Sequence, residues 1–132
     1  MADYAALRLV MVDTQVRPSD VTKFPIISAM LATPREAFVP SGQQAVAYSE
    51  TAIPLQGGRE MLEPRTLAKL LDALDTGRDD AVLVIGANLG YATALIAHMA
   101  ISVVAVEEDA GLAGEAETAL TAHGIDNAVV MT

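Results

Sequence analysis

The stretch Ala81-Val82-Leu83-Val84-Ile85-Gly86-Ala87-Asn88-Leu89-Gly90-Tyr91 decides the fold. Five successive apolar residues suit a strand covered on both faces of a parallel sheet. Glycines at 86 and 90 then let the chain turn at once, and Tyr91 to Met99 is an alanine-rich helix. The alternation repeats downstream. Ile101 to Val106 is a second apolar strand, ending at Glu107-Glu108-Asp109. Asp109 caps a helix running to His123, with Leu112, Ala116, Ala119 and Leu120 inward and Gly124 as its stop. Asp126 to Met131 is a third strand. This βαβαβ order predicts an α/β fold, half of a Rossmann-like doubly wound parallel sheet.

Upstream the chain changes character. Prolines at 18, 25, 34, 40, 54 and 64 break it into short helical pieces, and none follows. Tyr4 to Val12 is a helix with Leu7, Val10 and Met11 on one side. Val16 to Asp20 turns into a second helix around Val21–Leu31, where Ile26, Ile27, Met30 and Leu31 recur at helical spacing. Pro34 to Pro40 is a short segment with Phe38 as its aromatic anchor. Ser41 to Glu63 specifies little regular structure, and Gly57-Gly58 marks a loop. Pro64 opens a helix whose stripe is Leu67, Leu70, Leu71 and Leu74, with Gly77 as the expected stop. The expected division is a helical N-terminal segment, 1–77, before an α/β part, 78–132.

Composition narrows the functional classes. The 132 residues carry a net charge of −9, and 52% are hydrophobic but only 4% aromatic, so the core is aliphatic. Without cysteine there are no disulfides, thiolate metal sites or cysteine nucleophiles. No run reaches the ~18 apolar residues of a membrane span, and the N-terminus lacks a signal-peptide layout, which predicts a soluble, cytoplasmic protein without membrane partners. Residues 79–132 hold eight acids and no Lys or Arg. Nucleic-acid binding draws on Lys and Arg at phosphates, so no nucleic-acid partner is expected. His98 and His123 have no second ligand at metal-like spacing, and no metal is expected. The serines at 28, 41, 49 and 102 lack a nucleophile-elbow context.

In open parallel sheets ligands bind beyond the carboxyl ends of the strands. Gly86 and Gly90 fall there, and so does Glu107, 21 residues after Gly86, where a carboxylate accepts the hydroxyls of an adenosine ribose. A dinucleotide fingerprint requires glycine where Asn88 and Tyr91 stand, which weakens an NAD-dependent oxidoreductase reading. The Gly-x-x-x-Gly spacing fits the S-adenosylmethionine turn of class I methyltransferases better. A sulfonium ligand without phosphate also suits an acidic half devoid of Lys and Arg. The competing reading is a glycine turn that serves only to pack a βαβ unit.

Three blocks then resemble a known family: Ser28-Ala-Met-Leu-Ala-Thr-Pro-Arg-Glu-Ala-Phe-Val-Pro40, Ala47-Tyr48 with Ile53-Pro54-Leu55, and Val82-Leu-Val-Ile-Gly-Ala-Asn-Leu-Gly-Tyr91. In order and spacing they are similar to the protein-L-isoaspartate O-methyltransferases over roughly residues 20–127. The resemblance implies methyl transfer from S-adenosylmethionine to the α-carboxylate of an isoaspartyl residue, a step of protein repair, with an isoaspartyl protein or peptide as partner. It implies cofactor contacts from Gly86, Ala87, Asn88, Gly90 and Tyr91, and from Glu107 with Glu108. It also implies a substrate-side loop containing Arg59, Glu60 and Leu62; no catalytic residue is assigned. The sequence departs from the family pattern at three places. Val84 stands where an acid precedes the first glycine, Asn88 replaces the middle glycine, and Leu62 replaces a serine and donates no hydrogen bond. A catalytically silent nucleotide-binding or assembly module is the alternative. The family continues beyond the third strand, so a truncated and diverged relative is expected. Its first strand would then leave an open edge, inviting a homo-oligomer unless the N-terminal segment masks it.

Overall fold

The computed structural model describes residues 2–132 and divides into two compact units, the first ending at Asp75 and the second spanning Thr76–Thr132. In the first unit, α1 (Tyr4–Met11) is capped by Asp3, whose carboxylate accepts from the Ala6 amide at 3.1 Å. It runs on through a π-helical turn (Val12–Val16) and a 3₁₀ turn (Arg17–Ser19) until Asp20 enters the left-handed region at φ 64°. Helix α2 (Phe24–Ala32) carries Pro25 in its first turn, where an N–H has no helical partner anyway. A 3₁₀ turn, Arg35–Phe38, follows. Between Ser41 and Glu63, a minimal antiparallel pair forms: β1 (Ile53–Pro54) and β2 (Glu60–Met61), with Ile53 opposite Met61. Gly57 at φ 71° closes the turn between them.

Helix α3 (Pro64–Leu74) ends earlier than its glycine suggests. Asp75 takes the left-handed conformation at φ 52° and its amide bonds the Leu71 carbonyl, so Asp75, not Gly77, is the stop. The stripe on this helix is also narrower than its leucines imply. Leu67, Ala68 and Leu71 are buried, whereas Leu70 and Leu74 are exposed. Similarly α1 buries Met11 but exposes Leu7 and Val10, and α2 buries Ile26, Ile27 and Met30 but leaves Leu31 at the rim. With Val12, Val16, Phe38 and Ile53, these residues make an aliphatic core around one aromatic ring. Full burial of each such side chain contributes roughly 1.5–3 kcal/mol.

The second unit is β3 (Ala81–Ile85), α4 (Tyr91–Ala97), β4 (Ser102–Val106), α5 (Ala110–Ala122) and β5 (Ala128–Met131). The three strands are parallel in the order β3-β4-β5, with Leu83, Val104 and Val129 in register. Two successive right-handed crossovers in one direction put both helices on the same face. That face, carrying Val103 and Ala105, is buried. The opposite face carries Leu83, Ile85, Val104, Val129 and Met131, all exposed, with Ile85 78% accessible. The continuous apolar run in β3 therefore has only one covered face here, not two. Among the described residues no strand pairs with the outer edge of β3. Asp109 caps α5 by accepting from the Leu112 amide at 3.0 Å, and Gly124 follows at φ 72°. Asn127 Nδ2 donates to the Ala97 carbonyl at 2.9 Å and ties the end of α4 to the start of β5. No helix among the described residues is long and apolar enough to cross a membrane.

Candidate functional site

At the carboxyl end of β3 the chain reverses within five residues. The amides of Gly86 and Ala87 both donate to the Val106 carbonyl, at 2.8 and 3.1 Å, and the Gly90 amide donates to Ala87 at 3.0 Å. Three residues hold positive φ: Gly86 (77°), Asn88 (54°) and Gly90 (96°). Asparagine tolerates the left-handed region better than other side chains, so the turn keeps its course although its middle glycine is absent.

The two glycines serve different ends. A Cβ added at Gly86 would meet nothing within 4 Å, so this exposed backbone borders open space. A Cβ on Gly90 would sit 3.3 Å from the Ala116 Cβ and 3.6 Å from Leu120. Gly90 thus lets the start of α4 lie against α5, while Gly86 leaves room for a ligand.

Glu107 directly follows β4 beside this turn and is completely buried. Its Oε1 accepts from the Asn88 amide and its Oε2 from the Asp109 amide, both at 2.8 Å. A buried carboxylate survives only with such charge-assisted partners. These two bonds fasten the glycine turn to the start of α5.

Of the expected cofactor contacts, Gly86 and Glu108 are exposed and Asn88 is half-buried, while Ala87, Gly90, Tyr91 and Glu107 are buried. An adenosine reaches Glu107 only if the cover over its carboxylate moves. Val84 is half-buried and offers no charge. Turn backbone, the strand-end carboxylate and open space at Gly86 fit an adenosine-bearing ligand without phosphates, since residues 79–132 contain no Lys or Arg. His98 and His123 are exposed, and no group of three metal-ligating side chains exists among the described residues.

The substrate-side residues lie in the first unit. Arg59 is half-buried, and Glu60 and Leu62 are exposed; the Arg59 carbonyl accepts from the Leu55 amide at 2.8 Å. What shapes this loop is Arg35, to which sequence reasoning gave no role. Its side chain is fully buried; Nε donates to the Ala47 carbonyl at 2.5 Å and Nη2 to the Leu62 carbonyl at 3.0 Å. The available signal was a lone cation between prolines in an apolar segment. Next to it, Arg8 Nε donates to the Tyr48 hydroxyl at 2.9 Å, and that hydroxyl donates to Glu36 Oε1 at 2.5 Å. Burial, reinforced by the bond to Glu36, pushes the Tyr48 phenol up to about 12. Burial works against the Arg8 cation, but Tyr48 and Glu36 outweigh it and raise its pKa.

Similarity to other proteins agrees with this geometry. Residues 11–132 match the family "Protein-L-isoaspartate(D-aspartate) O-methyltransferase (PCMT)". A protein-L-isoaspartate O-methyltransferase of Methylorubrum extorquens (strain PA1) is 37% identical over 123 residues, covering 93% of this chain and 54% of the relative. Protein-L-isoaspartate O-methyltransferase 1 of Rhodopseudomonas palustris (strain HaA2) is 36% identical over 127 residues, covering 96% and 52%. A Plasmodium falciparum structure assigned to the same enzyme class, in complex with S-adenosyl-L-homocysteine, superposes with TM-score 0.77 at 16% identity, covering 99% of this chain and 63% of that one. The chain spans about half the length of the curated relatives it matches. With a matched region covering nearly all of its residues and the class I methyltransferase strand order in its second unit, the chain belongs to the protein-L-isoaspartate(D-aspartate) O-methyltransferase family.

Proposed function

We propose that this chain carries the S-adenosylmethionine-binding part of a protein-L-isoaspartate O-methyltransferase acting on isoaspartyl protein or peptide substrates. The observation that supports it best is the 2.8 Å bond between Glu107 Oε1 and the Asn88 amide, which joins the ribose-type carboxylate to the glycine turn. When bound, the cofactor supplies an electrophilic methyl group on a sulfonium centre. Gly86 admits the ligand against bare backbone, Asn88 holds the turn open, and Glu107, with Glu108 beside it, is the carboxylate for the ribose hydroxyls. Bound there, the cofactor would supply its methyl group to a substrate carboxylate oxygen by in-line displacement, the carbon–sulfur bond breaking as the carbon–oxygen bond forms. Positioning and exclusion of water carry this step, and no general acid or base is required. Within the first unit, Leu62 lacks a side-chain donor, and Arg59 in the same loop supplies a cation suited to a negatively charged substrate. A cytoplasmic role in protein repair belongs to the same reading. Association through the outer edge of β3, which no described strand pairs, belongs to the same reading, and sedimentation at rising concentration tests it.

Calorimetric titration with S-adenosylhomocysteine and, in parallel, NAD is the primary test. Saturable binding of S-adenosylhomocysteine, lost in Glu107→Ala, with none of NAD, is the expected result. Binding of NAD alone would reverse the reading. Methyl transfer to an isoaspartyl peptide, assayed with radiolabelled S-adenosylmethionine, then tests the substrate class.

A further inference from the structure

A polar cleft of about 390 Å³ lies wholly within the first unit, lined chiefly by Thr14, Gln15, Ser19, Glu50, Glu63 and Arg65. That volume is at the small end of ligand pockets, about 300–1,000 Å³. One of its walls has an unmet requirement. Gln15 is nine-tenths buried, and its Nε2 donates to the Tyr48 carbonyl at 2.9 Å, which fixes the amide's orientation. Its Oε1 is buried and accepts no hydrogen bond from any described residue. Gln15 lines the cleft, and an orphaned amide oxygen in its wall calls for a donor.

The charged side chains sort themselves by sign. Arg65 Nε donates to Ser19 Oγ at 3.0 Å, and Ser19 Oγ in turn donates to the Gln15 carbonyl at 2.9 Å. This anchors the guanidinium while its two terminal nitrogens take no described partner. Glu63 uses only Oε1, which accepts from Thr66 Oγ1 at 2.6 Å, and Glu50 is exposed with no bonded partner among the described residues. One wall thus offers a two-pronged donor suited to a carboxylate, and the rest offers acceptors: two carboxylates and the Gln15 oxygen. A simple anion would be repelled by Glu50 and Glu63, and a simple cation by Arg65.

We propose that this cleft binds a small zwitterion, a free amino acid or a dipeptide. Its carboxylate lies on Arg65, and its ammonium lies between Glu50 and Glu63, beside Gln15. The site is separate in sequence from the glycine turn and does not depend on methyl transfer.

The test is an NMR titration of the ¹⁵N-labelled 132-residue protein. The probes are L-leucine and L-alanyl-L-alanine, with leucinamide (no carboxylate) and N-acetylleucine (no ammonium) as controls. Saturable shifts are expected at the Gln15 side-chain amide and the Arg65 Nε–H, with the blocked probes weaker by roughly tenfold or more. The tighter of the two zwitterions identifies the size of ligand the cleft takes. Arg65→Gln should erase the preference for leucine over leucinamide, and Glu50→Gln the preference over N-acetylleucine. Both side chains are exposed, so amides remote from the cleft should keep their wild-type positions. Absence of saturable shifts at Gln15 at tens of millimolar, or equal binding of zwitterions and blocked probes, overturns the proposal.

Discussion

Glu107→Gln probes the bond on which the site is built. The native carboxylate is fully buried, and its two oxygens receive the Asn88 and Asp109 amides, each at 2.8 Å. Glutamine keeps one oxygen but presents an NH₂ to the second amide, donor against donor. A hydrogen bond to a charged group contributes about 1.5–3 kcal/mol, and a stranded buried N–H costs a further 1–3 or so. Removing a desolvated charge offsets part of this. The net loss should be about 2–4 kcal/mol, or roughly 8–15 °C in Tm for a chain of this size. Thermal unfolding at pH 7 measures the total. Hydrogen exchange resolves where it falls: one of the Asn88 and Asp109 amides should exchange about ten- to a hundredfold faster, while the β3–β4 ladder stays protected. If Tm stays unchanged and both amides keep wild-type exchange, the carboxylate does not hold the turn, and the case for it as the ribose ligand loses its footing.

Three further outcomes follow from the same geometry. Gly90→Ala should cost about 2–3 kcal/mol by urea unfolding, since strain at φ 96° adds to a 3.3 Å contact with Ala116, whereas Gly86→Ala bears conformational strain alone, about 1–2 kcal/mol; equal costs would contradict the packing role of Gly90. Because burial raises the Tyr48 phenol to about 12, above its unfolded value of 10.0, its share of stability is full below pH 10 and is lost as the pH climbs through 12. Absorbance titration should show Tyr48 ionising near pH 12, and Tyr48→Phe should remove its contribution to that step. Arg35→Lys cannot reach both the Ala47 and Leu62 carbonyls, so it should lose about 2–4 kcal/mol and make the segment around residues 53–62 more sensitive to limited proteolysis.

Much of this was legible in the sequence because it is written locally. The apolar run 81–85, its glycine turn and the following alanine-rich helix specify strand, reversal and helix through chain stiffness and periodicity alone. Asp109 as a helix cap and Gly124 as a stop are equally local, because caps act within one turn of backbone. The position of Glu107 relative to Gly86 was readable too, since a parallel βαβ unit of this length brings consecutive strand ends side by side.

Tertiary structure decided what the pattern leaves open. Leucine spacing marks Leu67, Leu70, Leu71 and Leu74 alike, yet only two of them are buried, because burial depends on which neighbours occupy each side of the helix. Two helices on one face of β3-β4-β5 leave Leu83, Ile85 and Val129 in solvent, although an unbroken apolar run reads as a two-sided strand. Arg35 at the Leu62 carbonyl, Gln15 at the Tyr48 carbonyl and Glu107 at the Asn88 amide join residues 19 to 33 positions apart. Such bonds follow from how elements pack, and no periodicity records them: the sequence determined the elements and their order, and packing chose the partners of each buried polar group.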